Sequence, residues 1–180
     1  MRFRVFLLIA ALSLASASCT HIAFYRGGAM IYHDPPPVEL TPARQGMRGS
    51  CALVCLETVL DYWGDGVGRE ELRRRLGEMP GEGYTLGQLR ALAREMGLEA
   101  FIVEGDISFL RKHTRAGRPV IVVLRHGNNN HSVVVAGVEE RKAVIVMDPA
   151  PGEMLKISMP AFLERWERAG CPALLIAPAG

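Results

Sequence analysis

Apolar residues recur at helical spacing in three stretches of the N-terminal half of the chain. In the stretch 51–63 they share one face, and Ser50 and Gly64 stand where a helix cap and a helix stop are expected. The same periodicity predicts two further helices, over 69–76 and 85–96.

The C-terminal half is dominated by short runs of Val and Ile between turn residues, a pattern typical of strands. We predict strands over 98–103, 120–124, 132–138, 143–147 and 173–176. Two more helices are predicted between them, over 107–115 and 159–169. N-terminal helices followed by a mostly antiparallel sheet make an α+β fold.

The first 18 residues have the pattern of a secretory signal peptide. Arg2 and Arg4 precede a ten-residue apolar run, which is too short for a bilayer that needs about 20 helical residues. Small residues then lead to Cys19, as in lipoproteins whose first mature residue is a lipidated Cys. Thr20 favours the outer membrane. We predict an exported protein of the periplasm or cell envelope, anchored by lipid on Cys19; plain secretion and an uncleaved anchor are the alternatives.

The rest of the chain divides into a spacer and one domain. Residues 19–42 contain Gly27-Gly28 and Pro35-Pro36-Pro37 and are predicted to form a flexible tether. Residues 43–180 form the predicted domain. The net charge of the 180 residues is +2, and the charges are scattered. Because nucleic-acid binding needs a basic face, we expect no nucleic-acid partner.

The number of cysteines points to a free thiol. The sequence has four, and lipid on Cys19 would leave Cys51, Cys55 and Cys171. Three thiols cannot all pair, so at least one stays free in a compartment that favours disulfides. An exported protein that keeps a free thiol usually has a use for it.

Cys51 stands at the first turn of the first predicted helix. The backbone N–H groups and the positive end of the helix dipole at that position stabilise a thiolate, which is the nucleophilic form of Cys. The alternative is that Cys51 is a small buried apolar residue, as free Cys often is.

His131 and Asp148 stand at the ends of two successive predicted strands. If these strands form a hairpin that turns at Glu139-Glu140, His131 and Asp148 lie opposite each other. Glu-Glu is not a favoured two-residue turn, so the register could slip by a residue or two, but both side chains would still lie at the same end of the hairpin. A carboxylate beside an imidazole fixes the tautomer of the ring, as a general base requires. The alternative is a surface His near an Asp that begins a turn.

Several motifs resemble one known family. The stretch from Gln45 through Ser50-Cys51-Ala52 and Cys55 to Asp61-Tyr62-Trp63-Gly64 is similar to the signature of the bacteriocin-processing, double-glycine leader cysteine peptidases. Further similar motifs extend the resemblance over residues 44–168. They are Tyr84-Thr85-Leu86-Gly87-Gln88-Leu89, Arg118-Pro119-Val120-Ile121, His131-Ser132-Val133-Val134, Val146-Met147-Asp148-Pro149 and Phe162-Leu163-Glu164-Arg165-Trp166.

The resemblance implies a papain-like fold and a cysteine peptidase that forms an acyl-enzyme. It implies that Cys51 is the nucleophile, His131 the general base, Asp148 the residue that orients His131, and Gln45 a donor to the oxyanion. Cys55 is expected to be a packing residue. The substrate is expected to be a peptide or protein cut after a Gly-Gly type site. No cofactor is expected, and separate export machinery is a candidate partner.

Two rival functions use the same scaffold: an amidase or acyltransferase with the same triad, and a non-catalytic lipoprotein that binds its ligand in the envelope. A zinc site of Cys51, Cys55, His126 and His131 is a third alternative. It is disfavoured because structural zinc cysteines usually lie in a knuckle or loop, whereas these two lie within one helix.

Overall fold

The computed structural model describes residues 28–46 and 50–180. In that part of the chain there are five helices: α1 Cys51–Tyr62, α2 Arg69–Leu76, α3 Leu86–Glu95, α4 Ile107–Arg115 and α5 Met159–Glu167. There are seven strands: β1 Ala29–Ile31, β2 Leu98–Glu104, β3 Val120–His126, β4 Asn129–Glu139, β5 Ala143–Asp148, β6 Glu153–Ser158 and β7 Pro172–Pro178. None of the helices in this part is long and apolar enough to cross a membrane. The predicted α+β fold is confirmed.

The seven strands form one sheet in the order β1-β6-β5-β4-β3-β7-β2. Every neighbouring pair is antiparallel. The central strand β4 and its neighbour β5 carry the predicted His131 and Asp148.

Alternate side chains of the central strands enter two separate cores. On β4, Val134 and Ala136 pack in a core with side chains of α1, α2 and α3. Val133 and Val135 pack in a second core with side chains of α4 and α5. The N-terminal helices therefore cover one face of the sheet, and α4 and α5 cover the other. Strands buried on both faces read as continuous apolar runs, which explains the runs of Val and Ile.

The sequence pattern missed two strands, β1 and β6. In β6 only Leu155 and Ile157 are buried, and two apolar positions are too few to indicate a strand. β1 has three residues and follows a glycine, and it forms only by pairing with β6, where Ala29 lies opposite Ile157.

The segment before α1 lies on the domain over its described length. Val38 is fully buried, and its N–H donates to the carbonyl oxygen of Ala136 at 3.0 Å. Pro37 packs so close to β4 that a Cβ at Gly137 would stand 2.7 Å from Pro37 Cδ. Residues 28–40 thus differ from the flexible tether that the sequence predicts, because their few apolar side chains pack against the sheet.

Two local predictions need correction. The sequence predicts a strand that begins at residue 132, but only Gly127 and Asn128 form the turn before it, and β4 already begins at Asn129. Ser50 was predicted to cap α1, but within the described residues its side chain makes no capping hydrogen bond to the helix.

Candidate active site

The first turn of α1 presents Cys51 to β4, the central strand of the sheet. The helix is held in place by buried side chains such as Leu53 and Leu56, and the Cys51 side chain is half-buried beside the sheet. The N–H of Ser132 on β4 donates to Cys51 Sγ at 3.5 Å. The N–H of Ala52 also donates to the thiol, because the first N–H groups of a helix have no acceptor within it.

His131 and Asp148 meet at the same end of the sheet. Nε2 of His131 lies 2.7 Å from Oδ1 of Asp148. The same oxygen accepts the N–H of Ala150 at 2.9 Å, which orients the carboxylate. Because Nε2 faces the carboxylate, Nδ1 is the ring nitrogen left for the Cys51 thiol, to which His131 is hydrogen-bonded. The three residues that the sequence singled out therefore lie in one chain of contacts.

The register that a two-residue turn at Glu139-Glu140 predicts is shifted by two residues in the structure, a slip that the sequence left open. It placed His131 opposite Asp148, whereas β4 and β5 pair Val134 with Met147, and His131 itself lies opposite Leu124 on β3. Extending the observed register puts Asp148 opposite the position two residues beyond His131. The two side chains thus meet diagonally, within the reach of long side chains on neighbouring strands.

The physical reason is the hairpin connection. Glu139 pairs with Ala143, so that three residues form the loop where a two-residue turn was predicted. Arg141 within this loop has φ 54°, the left-handed conformation found in three-residue hairpin loops. A further register shift lies between Val135 and Gly137.

The contacts shift the pKa values of the thiol and the imidazole in opposite directions. Burial raises the pKa of Cys51, but hydrogen bonds from His131 and from the N–H of Ser132, together with the charge of His131, outweigh it and hold the pKa below its ordinary value. Burial lowers the pKa of His131, but the hydrogen bond to Asp148, with a smaller contribution from Cys51, raises it to about 9. This environment favours a thiolate beside an imidazolium.

Gln45 lies against the turn that follows Asp148. Its backbone N–H donates to the carbonyl oxygen of Pro149 at 2.8 Å. Its side chain is half-buried, and its Oε1 is buried without a hydrogen-bond partner among the described residues. The backbone of Gln45 is therefore held beside the turn that follows Asp148.

Cys55 lies one helical turn beyond Cys51 and is fully buried in the core shared by α1 and the sheet. Burial raises the pKa of its thiol well above the ordinary value, and negative charge at Cys51 and Asp148 raises it further. Among residues 28–46 and 50–180, no group of three or more His, Cys, Asp or Glu side chains is placed to hold a metal ion. Cys19, the predicted lipidation site, lies outside the described residues.

Sequence reasoning missed three groups at this site. The N–H groups of Ser132 and Ala150 are backbone donors, and no residue-type signal marks them. Arg69 on α2 donates to the carbonyl oxygen of Arg44, next to Gln45, at 2.8 Å. It is the first residue of a charged helix and precedes Glu70 and Glu71, a position typical of an ordinary solvated arginine.

The fold and the arrangement of these side chains define the class as a papain-like cysteine peptidase. The chain belongs to the peptidase C39 family, whose model matches residues 40–179. It is thus a thiol hydrolase related to the double-glycine peptidases, as the resemblance implied. No curated protein matches the chain.

Solved structures of similar fold include three peptidases. The peptidase domain of Streptococcus ComA, a bifunctional ABC transporter involved in quorum sensing, has 23% identity and a TM-score of 0.67, over 78% of this chain and 98% of that chain. A double-glycine motif protease from an AMS/PCAT transporter, solved in complex with its leader peptide, has 23% identity and a TM-score of 0.65, over 83% and 98%. A C39-like peptidase from Bacillus anthracis has 20% identity and a TM-score of 0.65, over 78% and 96%.

Proposed function

We propose that this cysteine peptidase cuts peptide bonds in the bacterial cell envelope with Cys51 as nucleophile, His131 as general base and acid, and Asp148 as the residue that orients His131. The observation that carries the proposal is the chain of contacts among the three side chains, with the thiol pKa lowered and the imidazole pKa raised to about 9. An activated thiolate beside an imidazolium is what nucleophilic catalysis by Cys requires.

In the first half of the reaction, the Cys51 thiolate adds to the peptide carbonyl carbon and an oxyanion forms. The backbone N–H of Cys51 and the side-chain amide of Gln45 are the proposed donors to that oxyanion. As the oxyanion collapses, the C–N bond breaks, and Nδ1 of His131 gives its proton to the departing amine. The products are a free amine and a thioester on Cys51.

In the second half, neutral His131 takes a proton from water while the water oxygen adds to the thioester carbonyl. A second oxyanion forms at the same donors, the C–S bond breaks, and the carboxylic acid leaves. The thiolate and the imidazolium are then restored. Through both halves Asp148 accepts from Nε2, so that Nδ1 stays directed at Cys51.

We propose a peptide or protein substrate cut after a Gly-Gly type site. Membership of the peptidase C39 family supports a peptide substrate. The similar AMS/PCAT transporter protease was solved with its leader peptide bound, which supports it as well. Separate export machinery remains a candidate partner.

The chain's own Gly27-Gly28 is a poor candidate for that site. The carbonyl of Gly28 accepts from the N–H of Ser158 at 3.2 Å, at the end of β6. Asp148 lies opposite Glu153 at the other end of the same strand. Five strand residues span about 17 Å. We therefore propose that the substrate comes from another molecule.

We also propose that the first 18 residues direct export and that Cys19 carries the lipid anchor. The support is the charged start, the short apolar run and the small residues before Cys19. Radiolabelled palmitate should be incorporated into the wild-type chain and not into Cys19→Ala, which should be released from the membrane fraction.

Cleavage of defined peptides tests the proposed chemistry. The purified exported protein should cut peptides with an internal Gly-Gly and form a thioester on Cys51 that mass spectrometry detects. Cys51→Ala should abolish both, while Cys171→Ala serves as the control that keeps them. Thioester formation followed only by transfer to an added amine would identify an acyltransferase instead. Cleavage by Cys51→Ala would contradict the proposal.

A further inference from the structure

Arg69, outside the proposed triad, ties the chain next to Gln45 to the nucleophile helix. Its Nη1 donates to the carbonyl oxygen of Arg44 at 2.8 Å. Its Nε donates to Oε2 of Glu57 on α1 at 2.7 Å, and its Nη2 lies 2.6 Å from the same oxygen. One guanidinium therefore links the carboxylate of α1 to the peptide group that leads into Gln45.

The opposite side of this short segment is held by the turn after Asp148. Gln45 N–H donates to Pro149 O, and Gly152 N–H donates to Asp148 O at 2.9 Å. Gly152 has φ +75°, and a Cβ there would stand 2.6 Å from Arg44 Cβ and 3.0 Å from Arg44 Cα. The backbone of residues 44 and 45 is thus clamped between this turn and Arg69.

Side-chain packing does not fill the space on the Arg69 side. A cleft of about 260 Å³ lies there, lined by residues that include Thr41, Ala43, Glu57, Thr58 and Arg69. Because Thr41 and Ala43 border this cleft, the guanidinium supplies a fixed contact at a place where apolar packing is thin. Its planar fork suits a bridge between a carboxylate and a carbonyl, which a lysine ammonium cannot reproduce with the same geometry.

Other arginines of α2 show what an ordinary ion pair looks like here. Arg73 contacts Glu70 and Arg75 contacts Glu71, each within the same exposed helix turn. Such exposed ion pairs contribute little to the free energy of unfolding. Arg69 differs from them because both of its partners lie outside α2 and one of them adjoins a proposed catalytic residue.

We propose that Arg69, held by Glu57, is a positioning residue that fixes Gln45 relative to Cys51 and thereby sets the oxyanion site. The inference rests on the proposed function of Gln45. A displacement of about 1 Å costs about 10²-fold in rate, and loss of one oxyanion donor costs about 10²–10³-fold. Arg69 thus acts on the step that forms an oxyanion and not on the ionisation of Cys51.

Two reactions at the same sulfur separate these effects. Alkylation by iodoacetamide forms no oxyanion, whereas acylation by a Gly-Gly peptide does. We expect Arg69→Ala to lower kcat for the peptide about 10- to 100-fold with little change in KM, and to leave the alkylation rate of Cys51 and its pH profile unchanged. Arg69→Lys and Glu57→Gln should give intermediate losses. Arg73→Ala, which removes a neighbouring ion pair of α2, is the matched control and should behave as wild type.

A double variant tests whether the effect passes through Gln45. In the Gln45→Ala background, Arg69→Ala should cause no further loss, because the group that it positions is gone. Losses that multiply, or an Arg69→Ala variant as active as Arg73→Ala, would overturn the proposal.

Hydrogen exchange gives a readout that does not need peptidase activity. The Gln45 amide, which donates to Pro149 O, should exchange faster in Arg69→Ala and in Glu57→Gln than in Arg73→Ala, as measured by NMR. Unchanged exchange would overturn the positioning role even in an active enzyme. Faster exchange in a chain that cuts no peptide would support the clamp and refute the proposed peptidase chemistry instead.

Discussion

The first and second turns of α1 hold the same kind of side chain in opposite environments. Cys51 is half-buried beside His131 and the N–H of Ser132, and its pKa is lowered. Cys55, one turn later, is fully buried in the core, and its pKa is raised well above the ordinary value. Burial acts on both thiols in the same direction. The donors around Cys51 make the difference, so its reactivity is set mainly by its hydrogen-bond partners on strand β4, His131 and Ser132.

The largest expected effect comes from removing each thiol in turn. Cys51→Ala should lower kcat for peptide cleavage by about 10³-fold or more, since no nucleophile remains. Cys55→Ala should keep the rate within about threefold and lower the free energy of unfolding by about 1 kcal/mol, because it leaves a small cavity. Steady-state kinetics and urea unfolding measure the two effects. Equal losses of activity in both variants would contradict the assignment of a catalytic role to Cys51 and a packing role to Cys55.

Removal of His131 should make Cys51 an ordinary thiol. At pH 6.5 a thiol with pKa about 8.5 is about 1% ionised, so the alkylation rate of Cys51 in His131→Ala should fall about 10- to 100-fold. Quenched iodoacetamide labelling read by mass spectrometry measures the rate. Cys171 is the internal reference, and its rate should not change. An unaltered rate at Cys51 would show that the helix N-terminus alone activates it.

The pH dependence should show both limits of the ion pair. Peptide cleavage should rise as Cys51 ionises, below the ordinary thiol pKa, and fall as His131 loses its proton near pH 9. The initial-rate profile of kcat/KM should therefore be bell-shaped, with a high-pH limb near 9. A high-pH limb near 6.5 would contradict the raised pKa of His131.

The same pKa shift should appear in stability. The folded-state pKa of His131, about 9, lies above its unfolded value of 6.5, so the imidazolium stabilises the fold fully below about pH 6.5 and loses this contribution as the pH rises through about 9. Urea midpoints of the wild type and His131→Gln should therefore differ most near pH 6 and least near pH 10. A difference that grows with pH would have the wrong sign.

The smallest effect is expected at Cys171, a half-buried thiol that packs against the core formed with α4 and α5. Burial, with the charges of Glu167 and Glu104, raises its pKa. Cys171→Ser should change the free energy of unfolding by less than about 0.5 kcal/mol and leave cleavage unchanged. Competitive labelling at pH 7 should modify Cys51 first. Faster labelling of Cys171 would mean that exposure, and not hydrogen bonding, governs reactivity in this chain.

The sequence was sufficient where one local signal decided the structure. α4 has the predicted bounds because Asp106 caps it, accepting from the N–H of Phe109 at 2.7 Å, and Gly117 follows its end. The sequence was insufficient where a strand forms only through its pairing with another strand. β1 forms only by pairing with β6, and neither strand has enough buried positions to be recognised from the sequence alone.

The site was predictable as a set of residue types and not as a geometry. Cys51, His131 and Asp148 were found because each stands at the end of a recognisable element. The three-residue loop around Arg141 and the register shift near Gly137 could not be inferred, because both depend on contacts across the sheet. The contacts of Arg69 could not be inferred for the same reason, since its partners are distant in sequence.

If Cys19 carries the proposed lipid anchor, the pairing of β1 with β6 also limits how far the domain can lie from the membrane. With lipid on Cys19, as proposed, a chain free up to residue 43 would extend about 80 Å, but one that joins the sheet at Gly28 extends about 30 Å at most. The catalytic domain would then work within roughly one domain diameter of the bilayer surface. Its substrates would be selected as much by their emergence at that surface as by the sequence around the bond that is cut.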